Sequence, residues 1–157
     1  MKGGTLTITA VGKLKAREWK AAQAEYLKRL QRYTNVKLVE VKDAVGKGQP
    51  DAVAMQKEGV ALLKTAESSR RIILLTEFGK EMDSPELARW LRREIEMYGR
   101  VAFLIGGPLG FSDEVKAAAH EQIALSRLTF PHEIARILLL EQLYRAFTIL
   151  NNEQYHK

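Results

Sequence analysis

The runs RIILLTE (residues 71–77) and VAFLIGG (101–107) constrain the fold more than anything else in the chain. Each is a nearly unbroken apolar stretch of strand length. A strand with no polar face is one buried on both sides, as in a parallel sheet covered by helices. Two further strand-length runs, LTITAVG (6–12) and VKLVEV (36–41), precede them. Between the runs lie longer amphipathic segments, predicted as helices over about 16–33, 51–67 and 85–98. The first repeats Trp19, Ala22, Tyr26, Leu30 and Tyr33 along one side. The third opens at DSPEL, with Ser84 as the N-cap and Pro85 in the first helical position. Ser112 can cap a further short helix, with Asp113 and Glu114 complementing its positive end. QIALS (122–126) is a candidate fifth strand before a final helix from about 131. This β-α alternation implies an α/β domain with a mostly parallel sheet flanked by helices. No repeat or linker divides it, so one domain over 1–157 is expected.

The absence of cysteine removes disulfides, a cysteine nucleophile and thiolate zinc sites, and fits a reducing, cytoplasmic home. MKGGTLTITAV is too short and polar for a signal peptide, and no stretch approaches a membrane span. The net charge of +6 is uneven: residues 1–50 hold 11 basic against 4 acidic side chains, whereas 51–100 balance and 101–157 are slightly acidic. A basic first third suggests a polyanionic partner, nucleic acid first, although a solvated helix face has the same composition.

IGGPLGF (105–111) places a glycine turn between a strand and a helix. A P-loop needs Lys-Ser/Thr after its second glycine, and Gly110 is followed by Phe111-Ser112. The dinucleotide fingerprint G-x-G-x-x-G is not matched either. What remains is either a plain tight turn or a seat of low side-chain bulk for a flat, largely neutral group such as adenine.

The last thirty residues are richer. Pro131 pushes Phe130 into extended backbone and can open the helix. Within the helix His132 and Arg136 share a face, as do Glu141 and Arg145. Ile134, Ile137, Leu138, Leu139, Leu140, Leu143, Phe147 and Leu150 spread apolar surface around most of its circumference. Such a helix needs cover on more than one side, which a dimer would supply. His132 alone reads as an ordinary helix-start histidine, and the tail NNEQYHK as a frayed end. Yet Tyr155 offers a stacking ring and His156 an imidazole, both useful in handling a nucleobase.

Taken together, AVGKLK (10–15), EYLKRL (25–30), KEG (57–59), IGGPLGF, LSRLTFPHEIARILLLEQLYRAF (125–147) and the terminal YHK closely resemble the ribosomal RNA large subunit methyltransferase H family, of the SPOUT class. The departures are small: Gly3 and Gly4 look like additions, and Leu109 and Phe111 fill variable positions. The resemblance implies a SPOUT-type sheet with a deep C-terminal trefoil knot, and a homodimer. It also implies transfer of a methyl group from S-adenosyl-L-methionine to N3 of a pseudouridine in a stem-loop of large-subunit (23S) rRNA, on assembled ribosomes. The partner is then rRNA, with no DNA, membrane or metal involved. The cofactor is expected against Gly106 and Gly107, with Leu75 and Thr76 as one wall and Ser126, Arg127, Leu128, Thr129, Phe130 and Pro131 wrapping the adenine. The acceptor site is expected from His132, Arg136, Tyr155 and His156, with Arg136 stabilising charge on the base and His156 accepting a proton or hydrogen-bonding the base. Lys13, Lys15, Arg17 and Lys20 are expected on RNA phosphates. A non-catalytic RNA-binding or ribosome-assembly domain of the same fold is the alternative, separable by whether the protein binds S-adenosylmethionine.

Overall fold

The computed structural model describes residues 3–157. Five strands, β1 (Thr5–Val11), β2 (Asn35–Val41), β3 (Arg71–Glu81), β4 (Arg100–Ile105) and β5 (Glu121–Ala124), alternate with five helices, α1 (Arg17–Leu30), α2 (Asp51–Thr65), α3 (Ser84–Tyr98), α4 (Asp113–Ala118) and α5 (His132–Leu150). The strands form one sheet in the order β2-β1-β4-β3-β5, and every pairing between named strands is parallel.

Side chains alternate across the sheet and divide the core in two. Leu6, Ile8, Val101, Phe103 and Ile73 face α1, α3 and α5, whereas Val11, Leu74, Ala102 and Leu104 face α2 and α4. Each of the larger side chains contributes roughly 1.5–3 kcal/mol on burial. β1, whose sequence alternates with threonine, is as deeply buried as β4. Thr9 is tolerated there because its hydroxyl pairs with that of Thr65 at 2.8 Å.

Three expectations need correction. The cap of α3 is Asp83, not Ser84: the Asp83 carboxylate accepts from the Glu86 amide at 2.8 Å and the Glu86 carboxylate accepts from the Asp83 amide at 2.8 Å. A reciprocal box satisfies two orphan donors, which a serine one position later does not. Ser84 instead donates to Gln142 of α5 at 2.8 Å. Second, β3 runs on to Glu81, because Leu75 and Lys80 both pair with Ile123 and residues 76–79 bulge out between them. Gly79 permits this, since a Cβ there would lie 2.5 Å from the Ile123 backbone. Third, much of the all-round cover of α5 comes from within the subunit. With three helices on one face of the sheet, α5 packs between α1 and α3, and none of its residues is exposed.

Candidate active site

In parallel α/β sheets, ligands bind at the carboxyl ends of the strands, where strand order reverses. Here the carboxyl ends of β3, β4 and β5 enclose a cleft of about 720 Å³, a size typical of small-molecule sites, roughly 300–1,000 Å³. Nine of the ten positions expected to hold a cofactor line it: Leu75, Thr76, Gly106, Gly107, Ser126, Leu128, Thr129, Phe130 and Pro131. Arg127 does not. Its side chain is 85% exposed and turns to Glu81 at 3.5 Å.

The glycine turn is closed by a hydrogen bond from the Gly110 amide to the Gly107 carbonyl at 3.0 Å, with Gly110 at φ 80°. Its floor is a buried carboxylate. Glu58 of α2 accepts from the amides of Ala44 and Val45 at 2.8 and 3.2 Å, and its Oε1 would lie 3.1 Å from a Cβ added at Gly107. Gly107 is therefore favoured by close approach to Glu58 and Val11, whereas Gly110 is the position with a left-handed backbone. Glu58 was missed in the sequence; the signal that could have found it is its four-residue spacing from the apolar Ala54 and Leu62, with Glu58 itself inside the KEG motif.

Ionisable lining is sparse: Glu77, Lys116 and His132. The remaining walls are apolar side chains, hydroxyls and backbone, suited to a flat and mostly uncharged moiety. Among the described residues no cluster of side chains is arranged to hold a metal ion.

The four acceptor-site candidates separate in space. His132 lines the cleft, and its Nε2 would be 3.7 Å from a Cβ at Gly12. Arg136 is fully buried, does not line the cleft, and spends its guanidinium on Glu40 at 2.6 Å and the Gly12 carbonyl at 2.9 Å. The helical spacing that pairs it with His132 turns it under the β1–α1 loop, away from the cleft.

The tail is held against its own helix. Tyr155 donates to Glu141 at 3.1 Å and packs edge-on against Tyr144, while His156 Nδ1 lies 3.2 Å from Arg145. Glu153 accepts from Tyr33 at 2.7 Å. Burial, then hydrogen bonds with Tyr26 and Glu141, push the Tyr155 phenol up, so it stands as a neutral donor and not as a base. Glu141 lies nine residues beyond His132, about 14 Å along the helix axis, so the tail does not share the cleft of its own subunit.

Lys13, Lys15, Arg17 and Lys20 are all exposed, on the loop after β1 and the first turn of α1. Gly12, in the same loop as Lys13 and Lys15, lies against His132, which lines the cleft.

Residues 5–156 match the family model described as "Predicted SPOUT methyltransferase". The chain is 43% identical to the ribosomal RNA large subunit methyltransferase H of Geotalea daltonii, over 96% of this chain and 98% of that one. It is 46% identical to the protein of that name from Maridesulfovibrio salexigens, over 96% and 97%. Among solved structures, a probable methyltransferase from Bordetella pertussis Tohama I superposes with a TM-score of 0.58 at 17% identity, covering 92% of this chain and 96% of that one. That last likeness bears on the fold alone.

Proposed function

The chain belongs to the SPOUT methyltransferase family, among the ribosomal RNA large subunit methyltransferases H, and from that premise we propose that it transfers a methyl group from S-adenosylmethionine to N3 of a pseudouridine in a large-subunit rRNA stem-loop. The observation that carries this reading is the cleft itself: nine positions drawn from β3, the turn after β4 and the loop after β5 converge on one volume with almost no fixed charge. We read the chain as one SPOUT domain with a deep C-terminal trefoil knot, acting in the cytoplasm as a homodimer on assembled ribosomes.

S-adenosylmethionine supplies, when bound, a methyl group activated by its sulfonium, which is why the protein's task is alignment. Gly106 and Gly107 would let backbone approach the cofactor, Leu75 and Thr76 would form one wall, and Ser126 with Leu128 to Pro131 would cover the adenine. N3 of the acceptor must lose a proton. We assign that step to His132, which lines the cleft. Tyr155 and His156 lie too far along α5 to act in their own subunit, so they serve the partner's cleft, Tyr155 as a neutral donor or stacking ring. Arg136 acts through packing instead of touching the base. Lys13, Lys15, Arg17 and Lys20 grip RNA phosphates beside the cleft.

The test is incubation of the protein and methyl-labelled S-adenosylmethionine with unmodified ribosomes and separated subunits, followed by mapping of the labelled nucleoside. Label on N3 of one pseudouridine is expected. Stoichiometric cofactor binding with no label in any RNA would leave a binding protein and overturn the catalytic reading.

A further inference from the structure

Arg136 has no solvent exposure, and its Nε finds no partner among the described residues. A buried guanidinium with an orphaned donor depends on its remaining contacts for charge compensation. Those contacts tie together three parts of the first third of the chain. Glu40, near the end of β2, takes Nη1 at 2.6 Å; the Gly12 carbonyl, just past β1, takes Nη2 at 2.9 Å; Gln23 of α1 lies 3.4 Å from Nη1. The same Glu40 oxygen accepts from the backbone amide of Leu14 at 3.3 Å. Leu14 is buried, whereas its neighbours Lys13 and Lys15 point into solvent.

We infer that Glu40 is a positioning residue that locks the basic β1–α1 loop onto the first turns of α5, so that Lys13 and Lys15 are held at a set distance from the cleft. The inference rests on the reading of the cleft as a methyl-transfer site and of the loop as an RNA grip. One carboxylate oxygen does two things: it neutralises Arg136, which belongs to the helix that starts at His132, and it pins the amide between the two lysines. Gly12, at φ 87°, makes the sharp turn that brings its carbonyl to Arg136 and its Cα against His132. A loop of lysines free to move would still attract a polyanion, but would not orient it. Glu40 therefore acts on how RNA is presented, and not on cofactor binding, since neither Glu40 nor Arg136 lines the cleft.

The experiment compares the full-length wild type with Glu40→Gln in methyl transfer to unmodified ribosomes, in calorimetric binding of S-adenosylmethionine, and in hydrogen exchange at the Leu14 amide. Expected are a rise of tenfold or more in KM for ribosomes, a kcat and a cofactor Kd each within about twofold of wild type, and faster exchange at Leu14. If Glu40→Gln is poorly folded because Arg136 is left uncompensated, the double variant Glu40→Leu/Arg136→Met removes both charges. It should bind cofactor as wild type does while losing ribosome affinity and Leu14 protection. Unchanged KM in a folded Glu40→Gln protein, or loss of cofactor affinity in step with ribosome affinity, overturns the inference. If the wild type methylates nothing, the reading of the reaction fails by itself; ribosome affinity and Leu14 exchange in the two variants still decide the lock.

Discussion

Replacing Gly107 by valine tests the cofactor cleft at its tightest point. A Cβ at that position would sit 3.1 Å from Glu58 Oε1 and 3.3 Å from Val11 Cγ1. Glu58 cannot retreat cheaply, because it is buried and its other oxygen accepts from Ala44 and Val45. The two γ-carbons of valine reach about 1.5 Å beyond the Cβ, so the turn must lift off Glu58 and into the cleft; overpacking of this kind costs about 1–3 kcal/mol. If S-adenosylmethionine lies against this turn as proposed, displacing the turn also forfeits backbone hydrogen bonds to it, each worth about 1 kcal/mol net. Loss of two such bonds weakens binding by about 30-fold, since 1.4 kcal/mol corresponds to a factor of ten. Calorimetry with S-adenosylmethionine measures this directly, with circular dichroism establishing that the variant is folded. Gly107→Ala, which brings only the Cβ, should show a smaller loss in the same direction. A folded Gly107→Val protein with wild-type cofactor affinity would refute the placement of the cofactor against this turn.

Asp83→Ala removes half of the box at the start of α3 and should lower stability by about 1 kcal/mol in urea titration, while Ser84→Ala, at the position first expected to be the cap, should leave the helix start intact. Neutralising Lys13, Lys15 and Lys20 together should weaken ribosome binding and flatten its salt dependence, because fewer counterions are released, with cofactor affinity unchanged; an unaltered slope would place the RNA contacts elsewhere. The Tyr33 phenol is pushed up to about 12 by burial and by its hydrogen bond to Glu153. Its folded-state value lies above the unfolded one, so the stability it contributes is fully present below about pH 10 and is lost as pH rises toward 12; Tyr33→Phe should make the alkaline unfolding limb shallower. Deleting Tyr155–Lys157 removes the contacts to Glu141, Tyr144 and Arg145, and should reduce turnover while cofactor still binds. A tail-deleted subunit mixed with a Gly107→Val subunit should recover activity, given verified exchange, and silence in such a mixture would count against a tail that serves the partner.

The parts of this molecule that could be read in one dimension are those decided by local chemistry. The apolar runs of β3 and β4, the Ser112 cap and the extended loop before Pro131 each depend on neighbours within a few residues. The extension of β3 was invisible because TEFGKE is polar and pairs only through a bulge that Gly79 admits. Asp83 and Ser84 are both good caps, and Glu86, three residues after Asp83, was the feature that distinguished them. The surroundings of Arg136 were hidden for a different reason. Its spacing placed it on a face with His132, but the partner that determines its role, Glu40, lies 96 residues away and across the sheet. The apolar circumference of α5 likewise could not reveal that α1 and α3 share its side of the sheet. The proposed homodimer therefore rests on the tail's distance from its own cleft more than on that circumference.

The uneven charge of the chain follows from the order of its strands. β2 and β1 lie side by side at one end of the sheet, so residues 3–50, with 10 basic against 4 acidic side chains, gather on one side of the molecule. β4, β3 and β5 form the other half, and their carboxyl ends build a cleft with little charge of its own. α5 joins the two at their carboxyl ends: His132 opens onto the cleft, and Arg136, one turn later, is bound to Glu40 and Gly12 beneath the basic loop. A cleft whose ionisable lining is limited to Glu77, Lys116 and His132 suits the proposed methyl transfer between two held partners, because mostly apolar and backbone walls do little to stabilise a sulfonium before reaction. The attraction for a polyanion is accordingly kept on the neighbouring half. The two tasks meet across a single helical turn, which is why a substitution at Glu40, in contact with neither ligand, is expected to separate RNA presentation from cofactor binding.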